Sequence, residues 1–271
     1  MRLLIIGANG FIGTHLVSAA AAQNIEVVAL SRSGACQEGA TQAFAWSFGQ
    51  PVPESACKDV SCAIFLAHDF DGEEGARRTI ESTLAIASQL RAAGIRRQLF
   101  FSSYSAGEHA SSLYGRTKFA LEQALKAQAD LIVVRPGLVL GEGGIYGRIR
   151  KWARILPLVP LPDGGRGKVP VIGVEKLCEL TLKLASDPAP PVEANLFEHE
   201  LKSLRELVLD AAAESGHRPW ILPIPATLLI GILTLATRLR TPLPVNADNL
   251  AGFMSNQSAK HISTLEKDKH T

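Results

Sequence analysis

Tyr114 and Lys118 stand four residues apart in the run Tyr114-Gly115-Arg116-Thr117-Lys118. On a helix that spacing places both side chains on one face. A lysine beside a tyrosine stabilises the phenolate and lowers a pKa that is normally about 10. Such a tyrosine can give or take a proton near neutral pH, and the lysine can also hydrogen-bond a ribose. Taken alone the pattern is a common accident. Its position gives it weight, because it follows an apolar run that ends in Ser102-Ser103. Ser103 could orient a reacting oxygen, or it could simply satisfy backbone groups in a turn.

A second pattern opens the chain. The apolar run Leu3-Leu4-Ile5-Ile6 leads into Gly7-Ala8-Asn9-Gly10-Phe11-Ile12-Gly13, a G-x-x-G-x-x-G spacing between a predicted strand and a predicted helix. Gly7 permits a tight turn, Gly10 lets backbone N–H groups approach a pyrophosphate, and Gly13 lets the helix pack close to the strand. The next apolar run, 25–30, ends in Ser31-Arg32-Ser33, and no acid occurs between Glu26 and Glu38. A site for NAD places Asp or Glu here on the ribose hydroxyls, whereas an arginine meets a 2′-phosphate. Arg32 therefore points to NADP rather than NAD, with a solvent-facing arginine as the plain alternative.

These residues need a scaffold, and the alternation along the chain supplies one. Helices are expected over 11–22, 76–93, 112–127, 174–185 and 203–215. Strands are expected over 3–6, 25–30, 60–67, 98–101 and 131–134, with a final one at 195–198. The segment 34–58 reads as irregular, 71–78 as a charged loop, and 169–172 as extended. Ser203 and Glu206 have capping-box spacing. Sustained strand–helix alternation implies an α/β fold, a Rossmann-type doubly wound parallel sheet with a small C-terminal substrate lobe. The dinucleotide-binding domain is expected over 1–140 plus 169–187 and the lobe over 141–168 plus 188–254. A flexible tail is expected over 255–271.

Composition limits the alternatives. The 271 residues are 46% hydrophobic and 20% charged, which suits a globular protein. A formal net charge of +2 is too mild to argue for nucleic acid. Cys36, Cys57, Cys62 and Cys178 show neither a C-x-x-C pair nor metal-like spacing, so they read as reduced thiols in a cytoplasmic protein and no metal is expected. The apolar stretch 221–237 is interrupted by Pro223 and Pro225 and reads as a buried helix from about Ala226, not a membrane segment. The cations Arg148, Arg150, Lys151 and Arg154 read as a solvated helix face. Neither G-x-S-x-G nor a hydrolase motif around His199 or His217 appears.

The glycine turn, the Ser102-Ser103 strand end, the Tyr114-x-x-x-Lys118 helix and Arg135-Pro136-Gly137 occur in an order that resembles the extended and atypical short-chain dehydrogenases/reductases. More narrowly, the chain looks like the NAD-dependent epimerase/dehydratase group, over residues 1–185. The resemblance implies that Gly7, Gly10 and Gly13 cradle the pyrophosphate, with neighbours Asn9, Phe11 and Ile12 and the strand end Ser31 and Arg32. It implies that Ala67 and His68 line the adenosine and nicotinamide path and that Pro136 and Gly137 lie beside the nicotinamide. Ser103, Tyr114 and Lys118 match the substrate-orienting serine, the general acid/base and the ribose-binding lysine. A small-molecule substrate is implied, and family members often pair as homodimers through a helix matching that of Tyr114.

Four departures stand out. Ile6 replaces a threonine, Thr79 replaces an asparagine, Val174-Glu175-Lys176 replaces Val-Asp-Asp, and the interval from Ser103 to Tyr114 is only eleven positions. These features are similar to atypical members such as the 39-kDa accessory subunit of respiratory complex I. They imply an alternative, a non-catalytic NADP(H)-binding redox sensor or scaffold.

Overall fold

The computed structural model describes residues 1–126, 131–198, 200–239, 243, 245–256 and 262–264. Chain order is β1 (Arg2–Ile6), α1 (Phe11–Ala22), β2 (Glu26–Ser31), β3 (Gln42–Ala45), α2 (Glu54–Cys57), β4 (Cys62–Phe65), α3 (Gly72–Ala92) and β5 (Gln98–Phe101). Then come α4 (Leu113–Leu125), β6 (Leu131–Pro136), β7 (Leu138–Leu140), α5 (Gly144–Ala153), β8 (Leu158–Pro162), β9 (Lys168–Val169) and β10 (Val171–Gly173). The chain continues through α6 (Val174–Ser186), β11 (Glu193–Leu196), β12 (Lys202–Ser203), α7 (Leu204–Ala213), β13 (Trp220–Ile224), α8 (Ala226–Arg238) and α9 (Ala247–Asn256).

Seven strands form one parallel sheet in the order β11-β6-β5-β4-β1-β2-β3. Its central strands are near-continuous apolar runs because helices cover both faces. Leu3, Ile5, Val27 and Ile64 face α1 and α6, where they meet Leu16, Val17, Leu177 and Leu182. Leu4, Ile6, Val28 and Phe65 face the other way, against Ile86 and Leu90 of α3 and Leu121 and Leu125 of α4. The chain leaves β1 toward one face and β4 toward the other. The crevice between their C-terminal ends is therefore the switch point at which such sheets bind ligands.

Several expected boundaries move. The stretch 34–58 holds the edge strand β3 and the short α2; β3 is half exposed and so lacks the apolar signature of a buried strand. Helix α3 starts at Gly72, because the charges read as a loop include Glu73 and Glu74 in its first turn, where acids favour a helix. Strand β4 is shorter than 60–67. Strand β11 pairs with β6 in the large sheet, although its residues fall in the segment expected to form the lobe. Part of the expected loose tail is held against that edge. The Ser263 hydroxyl donates to the Phe197 carbonyl at 2.7 Å, and the Asn195 N–H donates to the Thr264 hydroxyl at 2.8 Å. The rest of that tail, 257–261 and 265–271, lies outside the described residues, as do His199 and Ala127.

The lobe gathers β8, β9, β12, β13, α5 and α7 around Tyr146, Ile149, Leu161, Leu207, Val208 and Ala211. The Ser203–Glu206 capping box forms as expected. Arg150 and Arg154 of the basic helix both reach Glu214 beyond α7, so the cations bind the lobe's own surface. The stretch 221–237 departs from expectation: β13 precedes α8, and α8 buries Leu229 and Leu233 but leaves Leu228, Ile232 and Leu235 exposed.

One polar cluster sits inside the sheet region. Arg135 on β6 donates to both Glu122 carboxylate oxygens, at 2.8 and 2.6 Å, and to Glu193 of β11 at 2.8 Å. The Ser102 hydroxyl donates to the same Glu122 carboxylate. With side chains 7% and 1% exposed, Arg135 and Glu122 are both cut off from water. Removing Arg135 would leave the buried Glu122 carboxylate without its charged partner, at a cost of about 3–5 kcal/mol. The cluster ties α4 to β5, β6 and β11.

Candidate functional site

Gly7 has φ +94°, in the left-handed region that favours glycine. A side-chain carbon there would lie 2.7 Å from the Ala67 nitrogen, so only glycine lets the ends of β1 and β4 meet. A carbon on Gly13 would lie 2.5 Å from the Gly7 carbonyl oxygen, which is why α1 starts so close to the strand. Gly10 is the N-cap of α1 and offers no side-chain cap, and no acid lies in the first turn. The first N–H groups of α1 thus lack side-chain acceptors at the positive end of the helix, an arrangement that fits an anion. Asn9 donates to the Ser33 hydroxyl at 3.1 Å, which ties the turn to the end of β2. Ser31 is buried there, and Arg32 is exposed beside it.

Phe11 and Ile12 turn away from that opening. The Phe11 ring packs against Gly141, Gly143 and Gly144, and Ile12 joins the core under α1. At the start of α1 the two residues therefore present backbone N–H groups and not their side chains. Gly137 lets β6 approach the lobe, since a carbon there would lie 2.6 Å from the Pro170 carbonyl oxygen. The Pro136 carbonyl accepts from the Tyr104 N–H at 3.1 Å.

Helix α4 is anchored at its start by two side chains. Ser112 accepts from the Gly115 N–H at 3.0 Å; Asp248 of α9 accepts from the Leu113 and Tyr114 N–H groups at 2.5 and 3.3 Å. Gly115 lets the turn after β5 lie against the helix, because a carbon there would be 2.6 Å from the Ser105 carbonyl oxygen. Ser103 sits in that turn, its hydroxyl 2.9 Å from that of Ser105. Lys118 is 2% exposed and donates to the Phe101 carbonyl at 2.7 Å, with its ammonium 5.6 Å from the Tyr114 ring centre.

The expected electrostatics change inside this setting. Burial pushes the Lys118 ammonium down to about 7, with Glu122 opposing. Burial also pushes the Tyr114 phenol up, to about 12, rather than the lysine drawing it down. The correction follows from desolvation, which disfavours every charged form. His68 is lowered to about 3, by burial first and the Lys118 charge second, with Asp69 opposing, so its imidazole is neutral at neutral pH.

The structure brings His68 against Tyr114, their ring centres 4.8 Å apart and edge to face. His68 Nδ1 is buried with no hydrogen-bond partner among the described residues. Phe70, which the sequence did not single out, stacks on Tyr114 at 5.9 Å and 15°. Thr79 accepts from the Asp69 N–H at 3.0 Å and so holds the loop that carries both rings. Glu122 and Asp248 were also missed. Glu122 was visible as the third member of a four-residue column, Tyr114, Lys118, Glu122. Asp248 is far away in sequence and gave no such signal. Among the described residues no group of His, Cys, Asp and Glu could hold a metal ion, and no helix is long and apolar enough to cross a membrane.

A doubly wound sheet with a glycine-lined helix N-terminus at its switch point, and a Tyr–Lys helix beside it, defines a dinucleotide-binding Rossmann protein. The model of the NAD dependent epimerase/dehydratase family matches residues 3–161, and the chain belongs to that family. Solved structures share the fold. MoeE5 in complex with UDP-glucuronic acid and NAD is 22% identical, with 83% of this chain and 86% of that one covered and a TM-score of 0.71. A UDP-glucose 4-epimerase from Thermotoga maritima, with UDP-glucose, is 18% identical over 83% and 86%, with a TM-score of 0.67. A nucleoside-diphosphate-sugar epimerase from Staphylococcus aureus is 14% identical over 99% and 95%, with a TM-score of 0.73. Among curated proteins no sequence match is found.

The lowered Lys118 pKa sets a pH dependence of stability. The folded chain releases this proton near pH 7, against 10.5 for an unperturbed lysine. Between those values the unfolded state binds more protons, so the burial penalty is relieved as pH rises across the window. Urea unfolding from about pH 7 to about pH 10 should show wild type gaining stability relative to Lys118→Met. Parallel pH profiles for the two proteins would contradict the assignment.

Proposed function

We propose that the chain is a nicotinamide-dinucleotide-dependent oxidoreductase or epimerase. It acts at a carbon–oxygen centre of a small or nucleotide-sugar-like substrate, with Tyr114 as general acid/base. One observation supports this reading above the others: an unbroken path of contacts from the glycine turn to the phenol. Gly7 abuts Ala67, the next residue is His68, and the His68 ring touches Tyr114. A dinucleotide with its pyrophosphate on α1 would extend along this path toward Tyr114.

The residues fit such a group. Gly7, Gly10 and Gly13 with the N–H groups at the start of α1 would hold the pyrophosphate, and Lys118 the nicotinamide ribose. When bound, the nicotinamide supplies or accepts a hydride. The protein's part is the proton. Ser103 orients the substrate oxygen, and Tyr114 donates to it. A phenol at about 12 is protonated at neutral pH, so Tyr114 is held in the donor form, and the phenolate that donation leaves must be stabilised by a nearby positive charge. Neutral His68 packs edge to face on the phenol ring, and Phe70 stacks on it. For the reverse direction, Lys118 would release the Phe101 carbonyl and turn its charge toward the phenolate.

That same Lys118–Phe101 bond favours a second reading, a dinucleotide-binding scaffold whose lysine stays committed to the backbone. Turnover of a carbonyl panel with NADPH and NADH separates the two. Tyr114→Phe should lower turnover by about 10²–10⁴-fold while cofactor affinity is retained. Tight cofactor binding with no turnover by wild type supports the scaffold. Wild-type turnover that survives Tyr114→Phe contradicts the mechanism.

We propose further that the cofactor is NADP. Arg32 is exposed at the end of β2, in a stretch with no acid from 27 to 37 to bind free ribose hydroxyls. In titrations of the purified protein NADPH should bind more tightly than NADH, and Arg32→Ala should weaken NADPH alone. Equal affinities that Arg32→Ala leaves unchanged would refute the phosphate role.

A further inference from the structure

The lobe presents an apolar surface that the cofactor site does not use. Strands β8 and β13 pair in parallel, Trp220 opposite Leu158 and Leu222 opposite Pro160. Paired residues share a face of the ribbon, and alternate residues point to opposite faces. Val159, Leu161 and Ile221 pack inward against the lobe core. The outward face would ordinarily be polar. Here Leu158, Pro160, Trp220 and Leu222 on it are exposed, Trp220 to 80%, and Ile224 at its end packs with Leu229 and Leu233 of α8.

The chain then runs directly into α8, where the pattern repeats. Leu229 and Leu233 face inward onto Leu250. Leu228, Ile232 and Leu235, with Leu239 just beyond the helix, face outward and are 56%, 46%, 58% and 69% exposed. Their spacing of four, three and four residues is one continuous helical stripe. The outward sides of the ribbon and of the helix that follows it are thus both apolar, which on a soluble surface marks a binding face.

Charge identifies the occupant. The ribbon and α8 come from two stretches, 143–162 and 215–247, and neither contains a single Asp or Glu. The first carries Arg148 and Lys151 and the second Arg218, all exposed, and Arg238 and Arg240 follow in the sequence of the second. Exposed apolar side chains in stretches of chain that carry cations and no acids match an anionic lipid surface. An exposed tryptophan suits the headgroup level of a bilayer. Helix α8 has 13 residues and rises about 20 Å, too short for a hydrocarbon core of about 30 Å. It can lie in the interface but cannot cross it.

We propose that the face formed by β8, β13 and α8 docks the protein on membranes rich in anionic lipid, with Trp220 and the α8 stripe inserted at headgroup depth. The test is flotation of the full chain with vesicles of phosphatidylcholine and phosphatidylglycerol, alongside tryptophan emission. Trp46 is buried and bonded to the Gln50 carbonyl and Trp152 on α5 is half-buried, so a blue shift on vesicle addition that Trp220→Phe abolishes reports on Trp220. The chain should float with anionic vesicles and shift its emission, and added salt or pure phosphatidylcholine should weaken both. Leu235→Glu or Ile232→Glu should lower vesicle affinity on the order of tenfold or more, with the thermal melt unchanged because both sites are exposed. Val192→Glu, on an exposed site elsewhere, should have no effect. Failure to float with anionic vesicles overturns the proposal. So does an equal loss with Val192→Glu, or a solution dimer that Leu235→Glu dissociates and vesicles do not bind; that last result would assign the face to a second copy of the chain.

Discussion

Backbone meets backbone where β1 and β4 end. Gly7 lies so close to the Ala67 amide that any side chain at position 7 would collide with it. This contact is possible because the adjacent strands send their chains to opposite faces, opening a crevice between α1 and the loop after β4. Everything proposed for the site depends on that juxtaposition. It puts the helix N-terminus, with donors that no side chain caps, next to the loop bearing His68 and Phe70. Those rings in turn rest on Tyr114.

The second constraint is electrostatic. Helix α4 carries Tyr114, Lys118 and Glu122 in one column that passes from the crevice into the sheet. Desolvation acts on all of it, raising the phenol and lowering the ammonium. Deeper in, Glu122 is stabilised by two donors from Arg135 and one from Ser102, without which its burial would be prohibitive. The cluster therefore fixes the helix that presents Tyr114, and Asp248 holds the same helix from the lobe side. The lobe side and the phenol are thus linked through the start of α4.

Much of this was legible in the residues themselves. Continuous apolar runs marked β1, β2, β5 and β6, because strands buried on both faces need them. The glycine spacing and the Tyr–Lys spacing marked the two halves of the proposed site. What escaped notice did so for physical reasons. Strand β3 is a half-exposed edge and carries no apolar run. The acids opening α3 imitate a loop while favouring a helix start. Phe70 and Asp248 act through tertiary contacts that no local pattern encodes. The lysine–tyrosine pairing was readable as proximity, but the sign of the tyrosine shift depends on burial, which spacing does not reveal. In 221–237 the apolar content was evident, but not that half of it faces outward.

Substituting Gly10 tests the proposed anion site most directly. Its backbone, φ −77° and ψ 170°, suits any residue, and a side-chain carbon there meets only the Gly7 carbonyl oxygen, at 3.2 Å. Aspartate is a good N-cap, which offsets that tight contact, so Gly10→Asp should leave the fold about as stable as wild type. The same carboxylate would occupy the position assigned to the pyrophosphate. Calorimetric titration should show dinucleotide affinity falling about tenfold or more while the thermal midpoint holds. Undiminished dinucleotide affinity in Gly10→Asp would contradict the account.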